Sequence, residues 1–304
     1  MRRFRVVEQS MLPALAPGDE FVASRSLRPK NGDIVAVPKP GRPDFWMVKR
    51  VAHHPGLAPG EIWVVSDNEG GGAVDSASFG PVPSGEAHTL VGRLDELRFD
   101  EAVDLLVAED DALAESVSRH GRPTFWTRKE GFATLALLIL EQQVSLESGA
   151  AVYRRLAEAC GAVTPDAVLA AGETRLRSSG VTRQKAGYLL DLSERVTTGD
   201  LVLEDLAAVG PGTARARLTR IKGIGPWTAD AYLLSALRLP DVFPLGDRAL
   251  QVGAGEVLGL SHPPPEHELE MMALPWRPLR AVAARLIWHA YLDSRGRAEP
   301  VILV

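Results

Sequence analysis

Residues 218–247, LTRIKGIGPWTADAYLLSALRLPDVFPLGD, decide the fold of this chain. Apolar residues at helical spacing lead up to Gly223, and a second helical pattern opens at Thr228. Gly223 and Gly225 interrupt the pattern, and Asp247 follows Gly225 by twenty-two residues. The stretch therefore predicts two helices joined by a glycine-containing turn, with Asp247 placed after the second helix.

The turn has the composition of a backbone phosphate site. Glycines at 223 and 225 let backbone N–H groups approach an anion, and the N-terminus of the following helix adds partial positive charge. Four basic residues accompany the turn: Arg215, Arg217, Arg220 and Lys222. No acidic residue lies between them, so the turn is predicted to bind a phosphate backbone.

The string LxxIKGIGPWTA followed by DVFPxGD resembles the helix-hairpin-helix DNA glycosylases, and among them the DNA-3-methyladenine glycosylase II branch. Three further segments resemble helices of that family: 131–156, which contains QQVS, 179–196 and 274–292. Together the segments cover about residues 100–304. The resemblance implies an all-α glycosylase domain.

The resemblance also implies roles for individual residues. In the family the hairpin grips the backbone of damaged DNA, the target nucleotide is flipped out, and an Asp drives loss of the base; by position that Asp is Asp247. The implied DNA-binding residues are Arg220, Lys222, Gly223, Gly225 and Thr228. A carboxylate suits the reaction, because breaking an N-glycosidic bond builds positive charge on the sugar.

Aromatic side chains would suit a positively charged, alkylated base through stacking and cation–π attraction. The candidates for such a base pocket are Trp227, Trp276, Phe125 and Trp126. Trp276 is favoured because WRP precedes the last helix, whereas Trp288 in LIWHAY is expected in the core.

The hairpin predicts hydrolysis without strand cleavage. Bifunctional relatives carry a lysine in its second half, where it forms a Schiff base with the sugar; this chain has Trp227 and Thr228 there, with Lys222 before the turn. A lone cysteine, Cys160, excludes the four-cysteine iron–sulfur cluster of some relatives. We therefore expect a monofunctional enzyme with no metal and no cofactor.

The charge balance is unusual for a DNA-binding domain. Residues 96–304 hold 23 basic and 28 acidic side chains, a net of −5, whereas residues 1–95 are neutral with eleven of each. The acids concentrate at 95–115, and the cations gather at 214–222. We therefore expect weak non-specific binding and a local contact with damaged double-stranded DNA.

The first third of the chain has a different pattern. Short apolar runs (DEFVAS, GDIVAVP, FWMVKRVA and EIWVVS) are separated by turn residues, which predicts a small all-β module. Helical periodicity starts only near residue 100. The predicted domains are therefore residues 1–96 and residues 97–304.

Three motifs of this module, SMLPALAPGD, MVKRV and SDNEGGGAVDSASFGPV, resemble the signal-peptidase-like serine proteases, particularly the maturation proteases of nickel-type superoxide dismutase. The resemblance implies Ser10 as nucleophile and Lys49 as its general base, which needs burial to lower the lysine pKa. The last motif departs from the family at Ala73 and Ala77, so a serine that positions the lysine is missing unless Ser76 substitutes. An inactive barrel is the alternative.

No secretory segment and no apolar stretch of about 18 residues occurs, which predicts a cytoplasmic protein without membrane contact. A monomer is also expected. Two alternatives of other classes stay open. The hairpin could grip DNA without catalysis, or the chain could be a soluble maturation protease with a non-catalytic DNA-binding helical domain. A protein partner, or the chain itself, would then be the peptidase substrate.

Overall fold

The computed structural model describes residues 1–68 and 74–297. The chain divides into two compact units. The first comprises Met1–Glu109 with Pro275–Leu279, and the second comprises Asp110–Leu274 with the residues from Arg280 onward.

The first unit is built on a seven-stranded antiparallel sheet, in the order β1-β2-β7-β3-β4-β5-β6. The strands are β1 (Arg2–Arg5), β2 (Glu20–Ser24), β3 (Ile34–Lys39), β4 (Arg42–Ala52), β5 (Glu61–Val65), β6 (Val82–Pro83) and β7 (His88–Leu90). The four apolar runs form β2 to β5, so the predicted β module is confirmed as a sheet. Alternating residues of β4 and β5 are buried, as expected for strands with one face on a core.

Two apolar clusters form the core of the sheet unit. One contains Val35, Val37, Met47, Val51, Ile62, Val64, Val82 and Ala87, and the other contains Val6, Phe21 and Ala23. Helix α1 (Ser76–Phe79) and a 3-10 turn (Ser84–Glu86) lie between β5 and β7, and helix α2 (Glu96–Glu109) follows β7.

Helix α2 belongs to the sheet unit, although it lies beyond the predicted boundary between residues 96 and 97. Its Glu101 accepts hydrogen bonds from the hydroxyls of Ser24 and Ser26, both at 2.6 Å, and its Phe99 is buried. The compact units divide at 109/110, where Asp110 caps the next helix. The acidic segment 95–115 is thus two helices that fall in different units.

The second unit is helical. Its helices are α3 (Asp111–His120), α4 (Phe132–Glu141), α5 (Leu146–Cys160), α6 (Pro165–Ser178), α7 (Arg183–Thr197), α8 (Pro211–Thr219), α9 (Pro226–Ser235), α10 (Arg248–Val257), α11 (Glu266–Met272) and α12 (Arg280–Asp293). 3-10 turns occur at Glu204–Ala207 and, in the part assigned mostly to the sheet unit, at Leu274–Trp276. Within the described ranges, helices long and apolar enough to cross a membrane are absent.

The segment 131–156 forms two helices rather than one. Gln142 leaves the helical conformation, Gln143 has a φ of 57°, and Ser145 caps α5 by accepting from the Ser148 N–H at 3.2 Å. Apolar periodicity runs through this break, so only the backbone reveals it. The break places QQVS on a turn, and Gln142 of this turn bonds Gly223 of the hairpin.

Candidate active site and DNA-binding hairpin

The predicted hairpin is present, and its glycines have different roles. Helix α8 ends at Thr219, and α9 begins at Pro226. Gly223 has a φ of 86°, and a Cβ there would lie 2.2 Å from the Tyr188 ring. Gly225 has an ordinary φ of −83°, and a Cβ there would have no neighbour within 4 Å. Gly223 is therefore required by the fold, whereas Gly225 leaves open space at the start of α9.

The turn between α4 and α5 holds the hairpin in place. Gln142 Nε2 donates to Gly223 O at 2.8 Å and contacts Thr228 Oγ1 at 2.9 Å. Lys185 Nζ donates to the carbonyls of Leu140 and Gln142, both at 2.7 Å, and burial lowers its pKa. Thr228, expected among the DNA-binding residues, is 2% exposed, so its side chain supports the turn from inside and is not on the surface.

The basic residues beside the hairpin divide into two groups. Arg215 makes a bidentate pair with buried Asp230, at 2.8 and 2.9 Å, so its charge is already matched. Burial raises the pKa of Asp230, and the bonds from Arg215 oppose that rise. The side chains of Arg220 and Lys222 are exposed. The positive charge available to a phosphate is thus smaller than the four cations suggested.

Asp247 lies at the N-cap of α10, where its carboxylate has three hydrogen-bond donors. Oδ1 accepts from the Leu250 N–H at 2.8 Å and from the Trp288 indole N–H at 3.2 Å. Oδ2 accepts from the Trp227 indole N–H at 2.9 Å. Bonds to both oxygens fix the plane of the carboxylate, while the residue stays partly exposed. An oriented carboxylate that contacts the helix after the hairpin turn can stabilise a cationic sugar.

The loop that carries Asp247 is tied to the start of α12. Arg280 donates to the Asp241 carboxylate at 2.8 and 2.9 Å, and the Ala281 N–H donates to Pro240 O at 3.0 Å. The loop that follows α9 and the helix that carries Trp288 are therefore held together. The sequence does not reveal this contact, because 39 residues separate the two partners.

The structure changes the assignment of the tryptophans. Trp276, expected in the base pocket, is 2% exposed and offers no open face. Trp288, expected in the core, bonds Asp247 and meets the edge of Trp126 at 6.2 Å between ring centroids. Trp227 also contacts the carboxylate, and Phe125 is half-buried beside Trp126 in sequence. A base-stacking role for Trp227, Trp126 and Phe125 stays a prediction.

In the sheet unit, Lys49 is 4% exposed, and its Nζ donates to Ser66 Oγ at 2.8 Å. Burial lowers the pKa of Lys49, and the nearby carboxylates of Asp75 and Glu8 partly oppose this. The Ser10 carbonyl accepts from the Asn68 N–H at 3.0 Å, which ties the Ser10 turn to the loop after β5. Among the described residues, no hydrogen bond joins Ser10 to Lys49.

The serine that contacts the lysine differs from the expected one. Ser76 Oγ accepts from the Val64 N–H at 2.9 Å and is buried, so it supports β5 instead of Lys49. Asp75 caps α1 and also accepts from the Ser66 N–H at 3.3 Å. Ala77 is exposed on α1, and Ala73 lies outside the described residues.

A family model, HhH-GPD superfamily base excision DNA repair protein, matches residues 137–278, which include the hairpin and Asp247. DNA-3-methyladenine glycosylase of Bacillus subtilis is 26% identical over 170 residues, 52% of this chain and 56% of that protein. The chain thus spans little more than half the length of this relative.

Two solved structures have a similar fold. The Schizosaccharomyces pombe 3-methyladenine DNA glycosylase Mag1, in complex with abasic DNA, superposes with a TM-score of 0.58 at 25% identity, over 62% of this chain and 95% of that one. DNA-3-methyladenine glycosidase of Bacillus halodurans superposes with a TM-score of 0.54 at 29% identity, over 62% and 88%. The expected helical glycosylase fold is confirmed.

Proposed function

We propose that this chain, whose residues 137–278 match a model of the HhH-GPD superfamily of base excision DNA repair proteins, is a monofunctional DNA glycosylase for alkylated bases such as 3-methyladenine. One observation carries the proposal: the Asp247 carboxylate is held by two indole N–H groups and a helix N-terminus, close in sequence to the hairpin. Damaged double-stranded DNA is the partner, and the enzyme acts as a monomer in the cytoplasm.

The carboxylate acts on the sugar rather than on the base. As the N-glycosidic bond breaks, positive charge develops on the sugar ring, and the negative charge of Asp247 stabilises it. A water molecule on the same side, oriented by the remaining lone pair of the carboxylate, then adds to the sugar carbon, and the proton that it loses passes to the Asp247 carboxylate. An alkylated base leaves readily because it already carries positive charge.

The test is release of alkylated bases from a duplex treated with a methylating agent, with the free bases identified by mass spectrometry. The purified protein should release 3-methyladenine under conditions in which untreated DNA loses no base. Binding of the same duplex without any base release would instead favour a DNA-binding module that lacks catalysis.

The product is predicted to be an intact strand with an abasic site. The hairpin has Trp227 and Thr228 where a bifunctional enzyme keeps its lysine. The amine of Lys185 donates hydrogen bonds to two backbone carbonyls, so it is not free to attack the sugar. Borohydride should therefore trap no covalent protein–DNA adduct, and gels should show strand breaks only after alkali. A trapped adduct would contradict the monofunctional assignment.

A second candidate function belongs to the sheet unit. We propose that Lys49 is the general base of a peptidase site with Ser10 as nucleophile, and that the fused module cleaves a partner protein or the chain itself. Burial of Lys49 and its bond to Ser66 favour this function, because a lysine acts as a base only when it is neutral. Ser66 would orient the lysine in the role expected for Ser76.

Peptidase activity is expected to rise with pH. Because burial lowers the pKa of Lys49, the neutral amine accumulates as pH increases through that lowered pKa, below the range of an ordinary lysine. Cleavage of the chain, followed by mass spectrometry from pH 6 to 10, should disappear in Ser10→Ala and in Lys49→Ala. Base release should survive both changes.

An exposed serine, Ser178, provides the matched control, since Ser178→Ala should alter neither activity. Absence of any cleavage by the wild type would favour an inactive barrel. Loss of base release in Ser10→Ala would show instead that the two units do not act independently.

A further inference from the structure

A buried ion pair lies beside the carboxylate site and has no part in the mechanism described so far. Arg128 Nη2 lies 3.0 and 3.1 Å from the two oxygens of Glu141, and both side chains are 5% exposed. The Arg128 N–H donates to Ser235 O at 2.9 Å, so the loop that carries the arginine is attached to the end of α9. Burial raises the pKa of Glu141, and the charge of Arg128 opposes that rise.

The pair makes contact with the aromatic residues around Asp247. The Arg128 guanidinium carbon lies 5.7 Å from the centre of the Trp126 ring, within the range of a cation–π contact. Trp126 meets Trp288 edge to face, at 81° between the ring planes. The indole N–H of Trp288 donates to Asp247. A continuous series of contacts therefore runs from Glu141 to the catalytic carboxylate.

The other end of the series is attached to the hairpin. Glu141 is the last residue of α4, and Gln142, which bonds Gly223 and Thr228, follows it directly. Helix α5 packs closely on Glu141, because a Cβ at Gly149 would lie 2.7 Å from the Glu141 Cγ. The same turn of chain thus supports the phosphate-binding turn and, through Arg128, the aromatic residues at the carboxylate.

Stability alone is a poor reason for this arrangement. Buried ion pairs commonly contribute little, because the cost of removing both charges from water offsets their attraction. Among the residues that the structure describes, the buried Nε and Nη1 of Arg128 and the buried Nε1 of Trp126 have no hydrogen-bond partner. The bond to Glu141 does hold the planar Arg128 guanidinium next to Trp126. The pair therefore orients the side chains around it.

We propose that the Arg128–Glu141 pair is a positioning device for base release: it holds Trp126 against Trp288 and so fixes the orientation of the Asp247 carboxylate. The proposal rests on the proposed glycosylase function. Arg128 and Glu141 act through the two tryptophans and do not touch the substrate. Their contribution is to the rate of the chemical step, with little effect on binding of the DNA backbone.

The test removes the charges while keeping an apolar core. Arg128→Met combined with Glu141→Leu should unfold at or above the wild-type temperature, since apolar replacements of buried ion pairs are often stabilising. Its single-turnover rate of base release should fall about ten- to hundredfold, because small displacements of a catalytic group are costly. Binding to a duplex with an abasic analogue should stay within about twofold of wild type. Arg119→Met with Glu115→Leu, an exposed pair, is the matched control and should keep the full rate.

Glu141→Gln provides a second variant in case the double variant does not fold, and it should slow base release in the same way. Substitution of Trp288 by phenylalanine removes the indole donor. If Glu141 acts through that donor, Glu141→Gln should slow the Trp288→Phe enzyme far less than it slows the wild type. Equal slowing in both backgrounds, or full rate in either ion-pair variant, would overturn the proposal.

A readout without activity separates this proposal from the proposed function. In ¹⁵N NMR spectra the indole N–H signal of Trp288, assigned from its absence in Trp288→Phe, should move in Glu141→Gln. The signal of Trp63 in β5 should stay in place. Wild-type protein that releases no base would end the glycosylase proposal. The indole signal would still test whether the ion pair positions Trp288, and a Trp288 signal that does not move in Glu141→Gln would refute that.

Discussion

Replacing Asp247 by asparagine is expected to slow base release from alkylated duplex by about a hundredfold to a thousandfold or more, because electrostatic stabilisation is often the largest catalytic contribution. Asparagine caps helices about as well as aspartate, so α10 should keep its first turn. The amide retains an oxygen for Trp288 and the Leu250 N–H, but its NH2 group then faces the Trp227 indole. The loss is thus one of charge and of one hydrogen bond.

The measurement is a single-turnover rate of base release, with binding to an abasic-analogue duplex measured in parallel. Binding should persist, because the hairpin and its exposed cations are unchanged. Asp205→Asn, at an exposed position in the 3-10 turn Glu204–Ala207, is the matched control and should behave as wild type. Asp247→Asn with the wild-type rate would remove Asp247 from the mechanism.

The two hairpin glycines should respond in opposite ways. Gly223→Ala should destabilise the protein by about 2 kcal/mol or more, because its φ is positive and the new methyl group would overlap the Tyr188 ring. Gly225→Val is the larger change, yet it should cost only about 1 kcal/mol of folding stability, since φ is ordinary and no atom of the described residues lies within 4 Å of the new Cβ. Its effect should appear instead as weaker binding to every duplex, damaged or not, because the side chain occupies the approach of a phosphate.

Urea unfolding and binding to matched undamaged and damaged duplexes separate these effects. Gly187→Ala provides a control in α7, because residue 187 is exposed and its Cβ would also meet open space. A Gly225→Val protein that binds undamaged DNA normally but loses one lesion type would place this glycine at the base instead of the backbone. Normal stability of Gly223→Ala would show that Tyr188 moves aside.

The sequence alone predicted the elements whose signals are local. Short apolar runs between turn residues predicted β2 to β5, and glycines between two helical patterns predicted the hairpin, because these signals act over a few residues. The motif resemblance singled out Asp247, and the N-cap position of that residue agrees with an oriented carboxylate. Lys49, whose implied role needs burial, is buried in the structure.

Contacts between distant residues were decided only by the tertiary structure. Their places relative to the last helix favoured Trp276 for the base pocket and Trp288 for the core, but which ring reaches Asp247 depends on how α12 packs on α10. The pairing of Arg215 with Asp230 and the contact of Lys49 with Ser66 likewise depend on neighbouring elements and on side chains that share no local pattern. Helical and strand patterns report which face of an element is apolar, and the partner of that face is fixed by packing across the whole domain.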